Sequence, residues 1–140
     1  METFVADAIY IDAAPERVFD ALLDPEDVLV WMDGEEARIT AGTGGEFSVR
    51  RFDGTTVHGT ITELARGRAL TISDYWWQRA DDRRGPMAVR FTLEPRDDGV
   101  WIVVRQDGLD GRPGWESFAR ATRQELIAST VTLKRHIEGI

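Results

Sequence analysis

The sequence predicts an α+β fold in which a curved antiparallel sheet of about six to seven strands wraps a long C-terminal helix. Three observations predict it. A helical period runs through the last quarter of the 140-residue chain, from about Pro113 to Glu138. Alternating apolar and polar segments, separated by Asp-Gly, Arg-Gly and Gly-rich turns, fill the middle from Glu35 to Gly108. One strand-like segment and two short helices precede both.

Phe4 to Asp12 alternates Val5, Ile9 and Ile11 with Phe4, Ala6, Ala8 and Tyr10, a strand buried on part of both faces. Ala14-Pro15-Glu16-Arg17 opens a helix carrying Val18, Phe19, Leu22 and Leu23 inward, and Asp24-Pro25 stops it. A second short helix, Pro25 to Trp31, ends at Asp33-Gly34. Hairpin grammar follows. Ala37 to Thr40 is a short strand, Gly42-Thr43-Gly44-Gly45 a turn, and Glu46 to Phe52 the next strand. Asp53-Gly54 turns into Val57 to Thr62, and Arg66-Gly67 into Ala69 to Trp77. The charged run Arg79 to Gly85 predicts a solvated loop. Met87 to Glu94 alternates again before Pro95, and Asp98-Gly99 leads into the last strand, Val100 to Asp107. In the closing helix Trp115, Phe118, Ala119, Thr122, Leu126, Thr130, Leu133 and Ile137 form one stripe about 37 Å long, with Pro113 suited to its first turn and Gly139 to its end. Sequential hairpins make a meander that can grip this helix on its concave side, with the first strand beside the last.

Composition bounds the function. A chain of this length reads as one domain, residues 1–140. The N-terminus, Met1-Glu2-Thr3-Phe4, has neither the basic start nor the apolar core of a signal peptide, and no apolar run is long enough to span a membrane, so a cytoplasmic location is the default. No cysteine is present, which excludes disulfides, a thiolate nucleophile and sulfur metal sites. A net charge of −8 disfavours nucleic acid and anionic membranes as partners.

Ala13-Ala14-Pro15-Glu16-Arg17-Val18-Phe19-Asp20-Ala21-Leu22, followed by Asp24-Pro25-Glu26 and Trp31, resembles the N-terminal signature of the family named for activators of the Hsp90 ATPase. That family belongs to the START/Bet v 1-like (SRPBCC) superfamily. Gly44-Gly45-Glu46-Phe47, Val57 to Leu64, Phe91-Thr92-Leu93-Glu94-Pro95 and Leu133 to Glu138 continue the resemblance in register. It implies a helix-grip fold with a cavity between the long helix and the sheet. It does not imply one function, because that superfamily includes lipid carriers, hormone receptors, cyclases and cochaperone modules. One departure stands out. Family members often carry Gly-Trp before the terminal helical turns, where this chain has Glu125-Leu126, and Gly114-Trp115 lies about three turns earlier.

No residue pattern points to catalysis. His58 is on the outward parity of its strand, and His136 is in a last helical turn, where a cation complements the helix dipole. Two isolated histidines give no metal-ligand spacing, and the Gly42-x-Gly44-Gly45 run lacks the lysine and helix of a phosphate loop. Neither metal nor cofactor is expected. Strand parity instead aims Arg51, Asp74 and Gln106 inward beside apolar neighbours, either as polar anchors of a cavity or as strand ends near solvent. Trp31, Trp76 and Trp115, with Phe118 and Leu126, are placed to line a cavity or simply to fill the core. Tyr75, Trp77 and Trp101 take the outward parity, a surface for a chaperone or for self-association.

The leading expectation is a small apolar or amphipathic ligand held between helix and sheet by Trp31, Arg51, Asp74, Trp76, Gln106, Trp115, Phe118 and Leu126. The alternatives are an Hsp90 cochaperone-like interaction module, and a cyclase- or hydrolase-like enzyme whose only candidate groups would be Asp74, Arg51 and Tyr10.

Overall fold

The computed structural model describes residues 4–140, so Met1 to Thr3, read above for leader features, lie outside the described residues. The elements run β1 (Phe4–Ile11), α1 (Pro15–Leu23), α2 (Pro25–Trp31), β2 (Gly34–Ile39), β3 (Glu46–Arg51), β4 (Thr56–Ala65), β5 (Ala69–Arg79), β6 (Asp82–Arg96), β7 (Gly99–Asp107) and α3 (Glu116–Glu138). One antiparallel sheet contains all seven strands, in the order β1-β7-β6-β5-β4-β3-β2. The meander from β2 to β7 is therefore closed at one edge by β1, as the hairpin order predicts. Phe47, Val49, Val57, Ile61, Leu70, Ile72, Val89, Phe91, Leu93, Val100, Ile102 and Val104 form the apolar inner face. Among the described residues, no helix is long and apolar enough to cross a membrane.

The two short helices are set by prolines and one aspartate. Pro15 and Pro25 occupy first-turn positions, where a missing N–H is no loss. Asp24 ends α1 and caps α2, its carboxylate accepting from the backbone N–H groups of Glu26 and Asp27. The indole of Trp31 then donates to the carbonyl of Ala21 at 2.9 Å, which locks α2 onto α1 and leaves the ring edge-on to Phe91.

Several boundaries differ from the sequence expectation: β2 begins at Gly34 rather than Ala37, β4 runs on to Ala65, and three further differences have a visible cause. The Arg79 to Gly85 run is a strand hairpin, with Arg79 opposite Asp82 and Ala80 in the left-handed turn conformation at φ 51°. Its charges do not break the strands, because both faces are solvated at this tip and Arg84 pairs with Asp82 on its own strand. Strand β6 runs past Pro95 to Arg96, because β5 stops pairing at Thr92 and leaves one side of β6 without a neighbour. The long helix begins at Glu116 rather than Pro113, since Gly114 adopts a left-handed φ of 94° that no helix accommodates.

At 23 residues α3 still spans about 35 Å and crosses the concave face. Its C-terminal half is fastened by polar groups. Thr130 donates to the Asp7 carboxylate on β1, and Lys134 donates to the carbonyl of Tyr10 at 2.7 Å. Glu138 accepts from the Asp12 backbone N–H at 2.8 Å and pairs with Lys134. His136 reaches Asp27 on α2 at 2.6 Å. These bonds hold the helix end against β1 and α2.

The Asp12 N–H, followed by Lys134, lowers the Glu138 pKa below the ordinary value of 4.5. A carboxylate depressed in the folded state contributes stability above its unfolded pKa and loses it as pH falls through the folded value. Glu138→Gln should therefore lower the melting temperature at pH 7. The gap from wild type should close as pH falls below about 4.5. Thermal melts across that range check it.

Candidate functional site

Strand β5 contains one residue more than its neighbours can match. From Ile72 to Tyr75 it advances three positions while β6 advances two, from Val89 to Met87. Against β4 it advances three, Ser73 to Trp76, opposite two, Thr60 to His58. Asp74 absorbs the extra residue in a left-handed conformation, φ 48°, tolerable for an aspartate. The facing residue on β4 is glycine for a steric reason. A Cβ on Gly59 would lie 2.7 Å from Ile72 Cγ2 and 2.9 Å from the Ser73 carbonyl.

The bulge inverts the expected parity of everything after it. Tyr75 and Trp77 turn inward, and Asp74 and Trp76 turn outward. On the outer face the Trp76 indole donates to Asp74 at 3.1 Å, its ring covers Gly85, and Arg83 stacks on it at 3.9 Å. The predicted outer patch of Tyr75, Trp77 and Trp101 consequently does not form, and Trp101 packs edge-on against Tyr10 alone. A strict period of two missed this because a bulge is a one-residue exception to it. The only sequence signal was Gly59 beside a Ser73-Asp74 pair.

Between α3 and the inner face lies a cavity of about 210 Å³. Its apolar wall comes from Trp31, Phe47, Ile72, Val89 and Val104 on one side and Phe118, Leu126 and Leu133 on the other. Of the residues expected to line it, Trp31, Arg51, Gln106, Phe118 and Leu126 do so, and Asp74, Trp76 and Trp115 do not. Trp115 stands at the N-terminus of α3, edge-on to Phe118, and borders a second groove with Asp110 and Arg120. Arg84 lies over both rings at about 5 Å and donates to the Gly114 carbonyl. Phe118 in turn meets Trp77 edge-on at 4.9 Å, so this aromatic stack closes the cavity beneath the start of α3.

The polar groups are few and differ in state. Arg51 does not meet Asp74. Its Nε donates to the Met32 carbonyl at 2.8 Å and its Nη2 to Glu125 on α3 at 2.6 Å. Glu125 is one of the two residues at which the chain departs from its family pattern, and it is half exposed while Arg51 is 16% exposed. The pair, with Asp53, Thr55 and Arg79 nearby, forms the cavity's polar rim. Farther along the sheet, Gln106 is 6% exposed and donates only to the Met87 thioether, a weak acceptor. Tyr75 is 7% exposed. Burial pushes its phenol well above the ordinary value, opposed by Arg51, so it stays a neutral O–H donor. Thr122 adds a buried hydroxyl from the helix. Outside the cavity, Tyr10 donates to the Arg96 carbonyl and His58 is exposed. Among the described residues, no three histidines, aspartates or glutamates converge as metal ligands.

A seven-stranded sheet gripping a helix over a cavity defines a helix-grip protein. The family profile described as Activator of Hsp90 ATPase homolog 1-like protein matches residues 12–134, and the chain belongs to that family. Solved structures share the fold. Protein CV1439 from Chromobacterium violaceum is 23% identical, with TM-score 0.77 over 99% of each chain. The Aha1 dimer from Colwellia psychrerythraea is 19% identical, with TM-score 0.75 over 98% of this chain and 97% of that one. DynU16, a protein in the dynemicin biosynthetic locus, is 19% identical, with TM-score 0.78 over 99% of this chain and 48% of its own. No curated protein matches the sequence.

Gly59→Ala should cost about 1–3 kcal/mol by overpacking the bulge. Chemical denaturation measures the loss. The near-ultraviolet signal of the repositioned Tyr75 and Trp77 should change with it.

Proposed function

We propose that this protein binds a small, mainly apolar ligand in the cavity between α3 and the sheet, acting as a single 1–140 domain in the cytoplasm. A cavity lined mainly by apolar side chains, with a few polar groups among them, carries this reading. At about 210 Å³ it is below the roughly 300–1,000 Å³ of drug-sized sites, so a sterol or a long-chain acid is too large. A guest of about two fused rings suits a cavity of this volume. A fold neighbour from a biosynthetic locus is compatible with a small-molecule guest. In this reading Trp31, Phe118 and Leu126 are wall, and Arg51 with Glu125 is the polar rim.

The other two readings rest on less. The interaction-module reading loses its surface motive, because Tyr75 and Trp77 face inward and leave Trp101 alone. The cyclase or hydrolase reading retains only Arg51 of its three candidates in the cavity, and both Nε and Nη2 of Arg51 are engaged.

The test is a thermal-shift and calorimetric panel of bicyclic and short-chain molecules against wild type and Val104→Phe. Val104 is fully buried in the cavity wall, and the larger ring takes up the space. Ligands should raise the melting temperature of wild type and lose at least tenfold in affinity for the variant, about 1.4 kcal/mol. No shift with any compound would dismiss the proposal, and so would equal binding by the filled variant.

A further inference from the structure

Resting on that ligand-binding reading, a narrower inference concerns what the ligand must carry. Among the described residues no protein group pairs with the Tyr75 hydroxyl, although the side chain is more than nine-tenths buried. Among the described residues no fully enclosed side-chain nitrogen or oxygen lacks a partner, so this hydroxyl keeps a small opening, and Tyr75 is part of the cavity lining. A hydroxyl in this position, with no protein partner, is free to donate its hydrogen bond to a ligand atom that displaces water from the cavity.

Gln106 stands beside it. Tyr75 lies opposite Met87 on β6, and Gln106 lies opposite Val89, so the two flank Met87 on the inner face. The Gln106 amide donates to the Met87 sulfur at 3.2 Å, and its second N–H and its oxygen have no protein partner among the described residues. With the amide turned as the bond to Met87 requires, one N–H and the oxygen remain unpaired, a donor and an acceptor on a residue that lines the cavity.

The charge on the matching ligand atom follows from the cations. Arg51 is held by the Met32 carbonyl and by Glu125, and Arg79 is at the exposed rim. A carboxylate seated at Tyr75 would lose its water for a cation, Arg51, whose charge Glu125 already matches. A neutral acceptor loses little and gains a phenol donor.

We propose that the cavity recognises a neutral ligand bearing an oxygen acceptor, a ketone or equivalent carbonyl, which accepts a hydrogen bond from Tyr75 with Gln106 as the second polar contact. The apolar wall holds the remainder of the molecule. Tyr75 is then the residue that separates a carbonyl compound from a hydrocarbon of the same shape.

Two probes of matched shape test this, 1-tetralone and its hydrocarbon tetralin, titrated into wild type, Tyr75→Phe and Gln106→Leu by calorimetry. Wild type should prefer the ketone by about three- to tenfold, the range one neutral hydrogen bond supplies. Tyr75→Phe should remove that preference and keep the tetralin affinity, which also shows that the variant folds. Gln106→Leu should reduce the preference in part. The ketone's carbonyl stretch should shift to lower frequency in the wild-type complex and return in Tyr75→Phe. Equal binding of both probes to wild type, or an undiminished preference in Tyr75→Phe, would overturn the carbonyl inference and leave ligand binding standing. Binding of neither probe would overturn both.

Discussion

Between Ile72 and Trp76 strand β5 has one residue more than either β4 or β6 can match, and it is taken up at Ser73 and Asp74. That constraint sets the chemistry of the interior. Without the bulge the inner face would receive Asp74 and Trp76, a carboxylate and an indole, and the outer face Tyr75 and Trp77. With it the cavity gains a neutral phenol and the ring that Phe118 leans on. The left-handed turn at Asp74 is possible only because Gly59 leaves room across the ladder. A backbone irregularity of one residue therefore decides both the polarity of the cavity and the seat of the helix.

The helix is held by different physics at its two ends. Near Glu138 the fastening is directional, a set of hydrogen bonds from Thr130, Lys134 and Glu138 to β1 and its loop. Near Trp115 it is a stack of aromatic rings under Arg84, which fixes distance more than direction. Neither fastening fills the middle of the span. The cavity is the volume left where α3 stands off the sheet between Phe118 and Leu133.

Most of the fold was legible because its signals repeat. The alternation of Val100, Ile102 and Val104, the Asp24-Pro25 break and the α3 stripe each state one choice several times over. The site was legible only where parity ran undisturbed. Gln106 and Arg51 follow unbroken alternation on β7 and β3 and line the cavity, as do Phe118 and Leu126 by helical period. Asp74, Trp76, Tyr75 and Trp77 all follow the bulge, and all four were assigned to the wrong face. Trp115 failed for a related reason, since Gly114 delays the helix and sets that ring outside. Glu125 was visible as a departure from a family pattern, but its meaning needed Arg51, 74 residues away in the chain.

That pair of charges joins the end of β3 to the middle of α3, so it braces the two walls of the cavity as well as rimming the opening between them. Half of it stands in water, where dissolved ions compete for each partner. The aromatic stack at the other side of Phe118 has no such competitor. The aperture is therefore a part of this frame whose stiffness depends on the surrounding medium. A rise in ionic strength loosens the doorway and leaves the aromatic side of the room as it was.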